Sequence, residues 1–199
     1  LSIRRQRQMC IRDSLYLLET LVTIFVMAVF SPRLLRRFGK RNMSLGGVLI
    51  CFIGHVIFLL NPTDFGWVVF SCVVRGIGFA PIQSVIFGFI GDAVEYGQWK
   101  TRLRQEGLIF SGGSVGTKVG SGLTSALLTG LLSYAGYISS SAGSVMQSQQ
   151  VIDMIVSIYM WGPIFVWIVL IVVLYFYELD QKYPEIMRDL VAREARGEM

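Results

Sequence analysis

Residues 107–129 read GLIFSGGSVGTKVGSGLTSALLT, and how this stretch is read decides the fold. As a helix rising ~1.5 Å per residue it covers roughly 34 Å, enough for the ~30 Å hydrocarbon core of a bilayer. Gly112, Gly116 and Gly120 recur at the small-xxx-small spacing that lets helix backbones approach closely in lipid. At about 100° per residue, Ser111, Ser114, Lys118, Ser121, Ser125 and Thr129 fall within an arc of roughly 80° on another side. The sequence therefore predicts a two-faced spanning helix, gripping a neighbour with glycine and lining a polar cavity with hydroxyls and one ammonium. An ionisable residue at membrane depth is a functional-site candidate by default.

The rest of the composition agrees with a membrane setting. The chain of 199 residues is 53% hydrophobic and 16% charged, with a formal net charge of +5 and a mean hydropathy of +0.58. Long uncharged stretches at that hydropathy place it among polytopic membrane proteins. The basic residues sit in short blocks between apolar segments, as loops at an anionic membrane face do, which argues against nucleic acid as a partner. Three scattered cysteines make no disulfide framework, and no cysteine or histidine cluster has metal-ligand spacing. No metal or cofactor is expected. His55 has no serine or carboxylate at a compatible spacing within its own span, so it reads as a packing residue, and a membrane-embedded enzyme is disfavoured.

Taken in order, spans are expected at about 15–30, 43–60, 65–90, 107–132 and 151–177, followed by a charged, amphipathic tail over 178–199. The segments 31–42 and 91–106 read as loops rich in lysine and arginine, whereas the connectors 61–64 and 133–150 contain neither. The positive-inside bias then puts the first set and the C-terminus in the cytoplasm of a plasma (inner) membrane protein. Gly76, Gly78 and Pro81 predict a kink in the third span. Five spans place residues 1–14 outside, yet Arg4, Arg5, Arg7 and Arg12 break the same rule there. Those residues read as a non-native or disordered leader before a truncated first helix.

The run GDAVEYGQWKTRLRQEGLIFSGGSVGTKVGSGL (residues 91–123) resembles the glycoside–pentoside–hexuronide:cation symporters, the family of the melibiose permease. The resemblance rests on Asp92, Glu95, Tyr96, Gly97, Gln98, Trp99, Lys100, Arg104, Glu106, Gly107, Lys118, Gly120 and Ser121. It implies an all-α polytopic fold: five transmembrane helices from the incomplete C-terminal half of a twelve-helix major-facilitator-type bundle. It also implies cation-coupled symport of a sugar or glycoside by alternating access, with sodium or a proton as the coupling cation. The missing N-terminal half and the lipid bilayer would be its structural partners. A different cargo on the same fold, such as a lipid, or a fragment that does not transport, is the alternative.

Within that frame, Lys118 lies about 16 Å along its helix from Gly107, near the bilayer midplane, where an ammonium needs pairing or water. The resemblance places it beside the carboxylates of the cation site; the bland alternative is a salt bridge between halves. Ser114, one turn earlier, has an oxygen suited to a hard cation. Arg75 reads equally as a substrate contact and as the partner of Glu19 or of a backbone carbonyl on a neighbouring helix. Gln83 is a candidate for sugar hydroxyls, since an amide both donates and accepts. Asp92, Glu95, Lys100, Arg104 and Glu106 read as a cytoplasmic gate of exchanging salt bridges, or as a solvated face. Arg33, Arg36, Arg37, Lys40 and Arg41 read as topological anchors only.

Overall fold

The structure, a computed structural model, describes residues 2–138 and 147–196. Six helices follow one another: α1 (Ser2–Val29), α2 (Ser31–Leu60), α3 (Phe65–Thr101), α4 (Glu106–Tyr134), α5 (Gln149–Tyr175) and α6 (Leu179–Ala195). Among the described residues there is no strand. By length and composition α2, α3 and α5 are apolar enough to cross a membrane; α4 is long enough but carries its glycine, hydroxyl and lysine content instead. Much of the apolar surface is exposed, including Leu123, Leu127, Phe165 and Phe176. On a soluble protein so much exposed apolar surface would drive aggregation, whereas lipid solvates it.

One compact unit comprises residues 1–104 and 166–199. Its core is the α2–α3 pair. On α2 the buried residues Ser44, Gly47, Val48, Cys51, Gly54, His55 and Phe58 follow the helical period, so one stripe faces α3. Its counterpart on α3 includes Ser71, Cys72, Gly76, Gly78, Ala80, Pro81 and Val85. Gly78 makes the close approach possible: a Cβ there would sit 2.6 Å from the Cys51 nitrogen and 2.7 Å from the Gly47 oxygen. His55 is buried with its ring tilted against Phe58 at 5.9 Å. The turn at 61–64 is closed by the Asp64 side chain, which accepts the Trp67 backbone N–H at 3.2 Å.

Two segments expected to be loops are helical. Residues 31–42 belong to α2, which begins at Ser31-Pro32 and is interrupted only at Gly39, with φ 76°. Proline is favourable at a helix start, and the arginine and leucine that follow are good helix formers, so the basic block needs no loop. The stretch from Gly91 likewise continues α3 as far as Thr101. Arg102 ends it in a left-handed conformation, φ 61°, its N–H donating to the Gln98 oxygen. The backbone stays helical through Pro81. Helix α1 begins at Ser2, so residues 2–14 continue the first helix.

The second unit comprises residues 105–165. No residue of α4 is buried, and a Cβ added at Gly112, Gly116 or Gly120 would meet nothing within 4 Å. Within this unit the glycine face predicted to grip a neighbour is uncontacted among the described residues. Close glycine packing occurs instead between α2 and α3. Much of the 133–150 connector, residues 139–146, lies outside the described residues.

Candidate functional site

The candidate residues fall at three places. The first is the exposed polar face of α4. Lys118 is exposed, and its ammonium makes no ion pair or hydrogen bond with the described residues. Around it the hydroxyl protons are turned back on the helix. Ser111 donates to the Leu108 oxygen at 2.8 Å, Ser114 to the Phe110 oxygen at 3.2 Å and Ser121 to the Lys118 oxygen at 3.0 Å. With their protons engaged, these side chains present oxygen lone pairs outward. The face therefore offers acceptors plus one exposed cation.

The second place lies in the first unit, on α1 and α3. Arg75 donates through Nη2 to Glu19 Oε2 at 2.9 Å and to Cys72 Sγ at 3.4 Å. The ion pair with Glu19, one of the readings of Arg75, is thus present. Gly54 and Gly76 admit the arrangement: a Cβ at Gly54 would lie 2.8 Å from the Arg75 Cγ, and one at Gly76 2.9 Å from the Glu19 oxygen. Thr23 bonds across the same seam, donating to the Gly76 oxygen at 3.1 Å. Gln83 is two residues beyond Pro81, exposed, and lines a cavity of about 580 Å³ with Glu19, Thr20, Thr23 and Ser84. Glu19, considered from sequence only as a partner for Arg75, thus also faces this cavity.

The third place is the opposite end of α3, where α6 packs. Asp92, 2% exposed, forms an ion pair with Lys40. Lys40 also sits over the Tyr183 ring, 4.7 Å from its centroid. The Tyr183 phenol is pushed up from its ordinary range by burial, by its hydrogen bond to Glu95 and by the charges of Glu95 and Asp92. The backbone N–H of Arg41 donates to Asp180 Oδ2 at 3.1 Å. Its guanidinium caps the end of α5, donating to the carbonyl of Leu174 at 3.0 Å and to that of Tyr175. Gly39 is needed on two counts, its positive φ and the Asp180 carboxylate that would lie 2.8 Å from any Cβ. Further along α6, Asp189 accepts from Trp99 Nε1 at 3.0 Å and Arg193 donates to the Trp99 oxygen at 2.9 Å. Ile186 and Leu190 are buried beneath these contacts.

This cluster differs from the expected one. Lys40 and Arg41 are not mere anchors: each holds α2 to another element. Asp92 and Glu95 lie in the cluster, but Lys100 stacks over the Tyr96 ring at 5.9 Å and Arg104 donates to Gln98 Oε1 at 3.3 Å. Asp180 and Tyr183 were missed because they are far away in sequence. The visible signal was the apolar spacing of Ile186 and Leu190 in an otherwise charged tail.

Comparison with known proteins supplies the remaining observation. A model of the family described as MFS/sugar transport protein matches residues 13–181. The isoprimeverose transporter of Lactiplantibacillus pentosus is 30% identical over 91% of this chain and 37% of its own length. The putative sulfoquinovose importer of Salmonella typhimurium is 28% identical over 87% of this chain and 36% of its own. The glucuronide carrier protein homolog of Escherichia coli is 28% identical over 90% and 39%. The chain thus spans little more than a third of the length of the curated relatives it matches. No solved structure matches it significantly.

Proposed function

From the premise that this chain belongs to the MFS/sugar transport protein family, among its glycoside–pentoside–hexuronide:cation symporters, we propose that it forms the C-terminal part of a sugar symporter. It is an integral membrane protein, and its relatives are transporters rather than enzymes. The transporter moves a sugar or glycoside with sodium or a proton by alternating access. The observation that carries this reading is the Lys118 face, an ammonium with no partner on the described residues amid hydroxyl oxygens whose protons are engaged. Lys118 pairs with carboxylates on an N-terminal half. Ser114 lends an oxygen to a hard cation. Cation arrival changes what the ammonium pairs with and so biases the equilibrium between conformations.

The Lys40–Asp92 cluster, with Glu95, is the cytoplasmic gate of this half, and Lys100 and Arg104 are its rim. Arg75 and Gln83 serve the substrate, Gln83 by contact and Arg75 by fixing Glu19. The positive-inside bias puts this end and α6 in the cytoplasm of the plasma membrane. The test joins this chain to the N-terminal half of the isoprimeverose transporter. The fusion is expected to accumulate labelled glycoside in vesicles under a sodium or proton gradient and to stop when an ionophore removes it. Uptake indifferent to both gradients would end the symport reading.

A further inference from the structure

The cavity between α1 and α3 has a chemistry of its own. Its volume of about 580 Å³ lies within the ~300–1,000 Å³ usual for small-molecule sites. Glu19 is 30% exposed at its wall, while Arg75, 15% exposed, stands behind it and does not line the cavity. The ion pair holds the Glu19 carboxylate in one orientation, engaging Oε2 and leaving Oε1 to the cavity. Thr20 and Thr23 spend their protons on helix carbonyls, to Tyr16 at 2.8 Å and to Glu19 at 2.8 Å, and Ser84 does the same to Pro81 at 2.9 Å. Each therefore presents an acceptor oxygen. The Gln83 amide and the Tyr16 phenol are the donor groups that these contacts leave to the cavity, against five acceptor-bearing side chains. Phe79 and Phe87 supply apolar faces beside them.

A wall rich in acceptors, with one fixed negative charge, suits a ligand that brings its own donors. Hydroxyl groups do, and the C–H face of a sugar ring can lie against the phenylalanines. A carboxylate or sulfonate brings no donor and meets Glu19 as a like charge. We propose that this cavity holds the ring of a neutral glycoside and that the Glu19 carboxylate turns away anionic sugars. This rests on the sugar-transport reading above and narrows its substrate class.

The test uses the whole chain in lipid nanodiscs. Cys10, which is exposed, is replaced by serine, and Cys51 and Cys72 stay buried. Ser84→Cys then places a reporter thiol in the cavity wall, and its alkylation by N-ethylmaleimide is timed. Phenyl β-glucoside is expected to slow alkylation, and phenyl β-glucuronide, differing by one carboxylate, to need about tenfold more for the same protection. Glu19→Gln, whose amide oxygen still accepts from Arg75, is expected to bring the two within about twofold. Glu19→Asp keeps the charge and is expected to keep the discrimination, which separates charge from any loss of folding. Equal or better protection by the glucuronide overturns the proposal, as does discrimination that survives Glu19→Gln. Protection by neither sugar shows that the cavity is not a site. Uptake by the fused transporter is scored separately, so failed transport with intact protection counts against the transport reading alone.

Discussion

Replacing Lys40 by alanine isolates the buried charge on which the end of the α2–α3 pair depends. Asp92 is 2% exposed and its Oδ2 has no hydrogen-bond partner, so Lys40 is the cation that compensates it. Without Lys40 the carboxylate either stays ionised and uncompensated, at about 3–5 kcal/mol, or takes up a proton. Protonating an ordinary aspartate at pH 7 costs ~1.36 kcal/mol for each of about three pH units, close to 4 kcal/mol. Burial raises the Asp92 carboxyl above its ordinary range even beside Lys40, so the native state already bears part of this cost and Lys40→Ala should destabilise by at most about 4 kcal/mol. For a chain of this size that is a fall in melting temperature of at most about 8–16 °C. With the exposed Cys10 replaced by serine, the buried thiols of Cys51 and Cys72 provide the assay, because a thiol-reactive fluorophore reports their exposure as detergent-solubilised protein is heated. The double variant Lys40→Met/Asp92→Leu removes both charges and should recover most of the loss. A shift under about 2 °C for Lys40→Ala, or a double variant no better than the sum of the singles, would refute the reasoning.

Three further outcomes follow from the packing. Gly78→Ala forces α2 and α3 apart and should cost about 1–3 kcal/mol, whereas Gly116→Ala, which meets nothing within 4 Å, should not lower the melting temperature; equal effects would contradict the packing described. Ile186→Ser should release α6, since burying such a side chain is worth roughly 1.5–3 kcal/mol, and trypsin should then cut after Lys182 and Arg188 several-fold faster. Asp180→Ala removes the acceptor for the Arg41 N–H and should lower the melting temperature by a few °C, about 1 kcal/mol in free energy; an unchanged curve would show that contact to be incidental.

How much of this was legible beforehand depended on the range of each interaction. The α4 face could be read because its pattern is local, Ser114 and Lys118 being one turn apart. Helix content was understated at both expected loops, because basic residues mark the membrane boundary without ending a helix; Gly39 and Arg102 are the actual punctuation. The glycine pattern of α4 was clear, yet the tight packing falls at Gly47 and Gly78, whose pairing depends on the register of two helices. Asp92 was singled out, but its partner Lys40 lies 52 residues away and Asp180 farther still. No spacing rule connects them until α2, α3 and α6 are assembled. Glu19 shows the same limit: its pairing with Arg75 could be guessed, but its exposure to a cavity could not.

The central claim, that Lys118 couples the cation to the sugar, is tested most directly by separating accumulation from exchange. In the fused transporter, Lys118→Ala should abolish gradient-driven accumulation of labelled glycoside while sparing sugar exchange across vesicles at equal concentrations. Accumulation that persists in Lys118→Ala would contradict the account, and so would loss of accumulation and exchange together with a lowered melting temperature, the mark of a purely structural salt bridge.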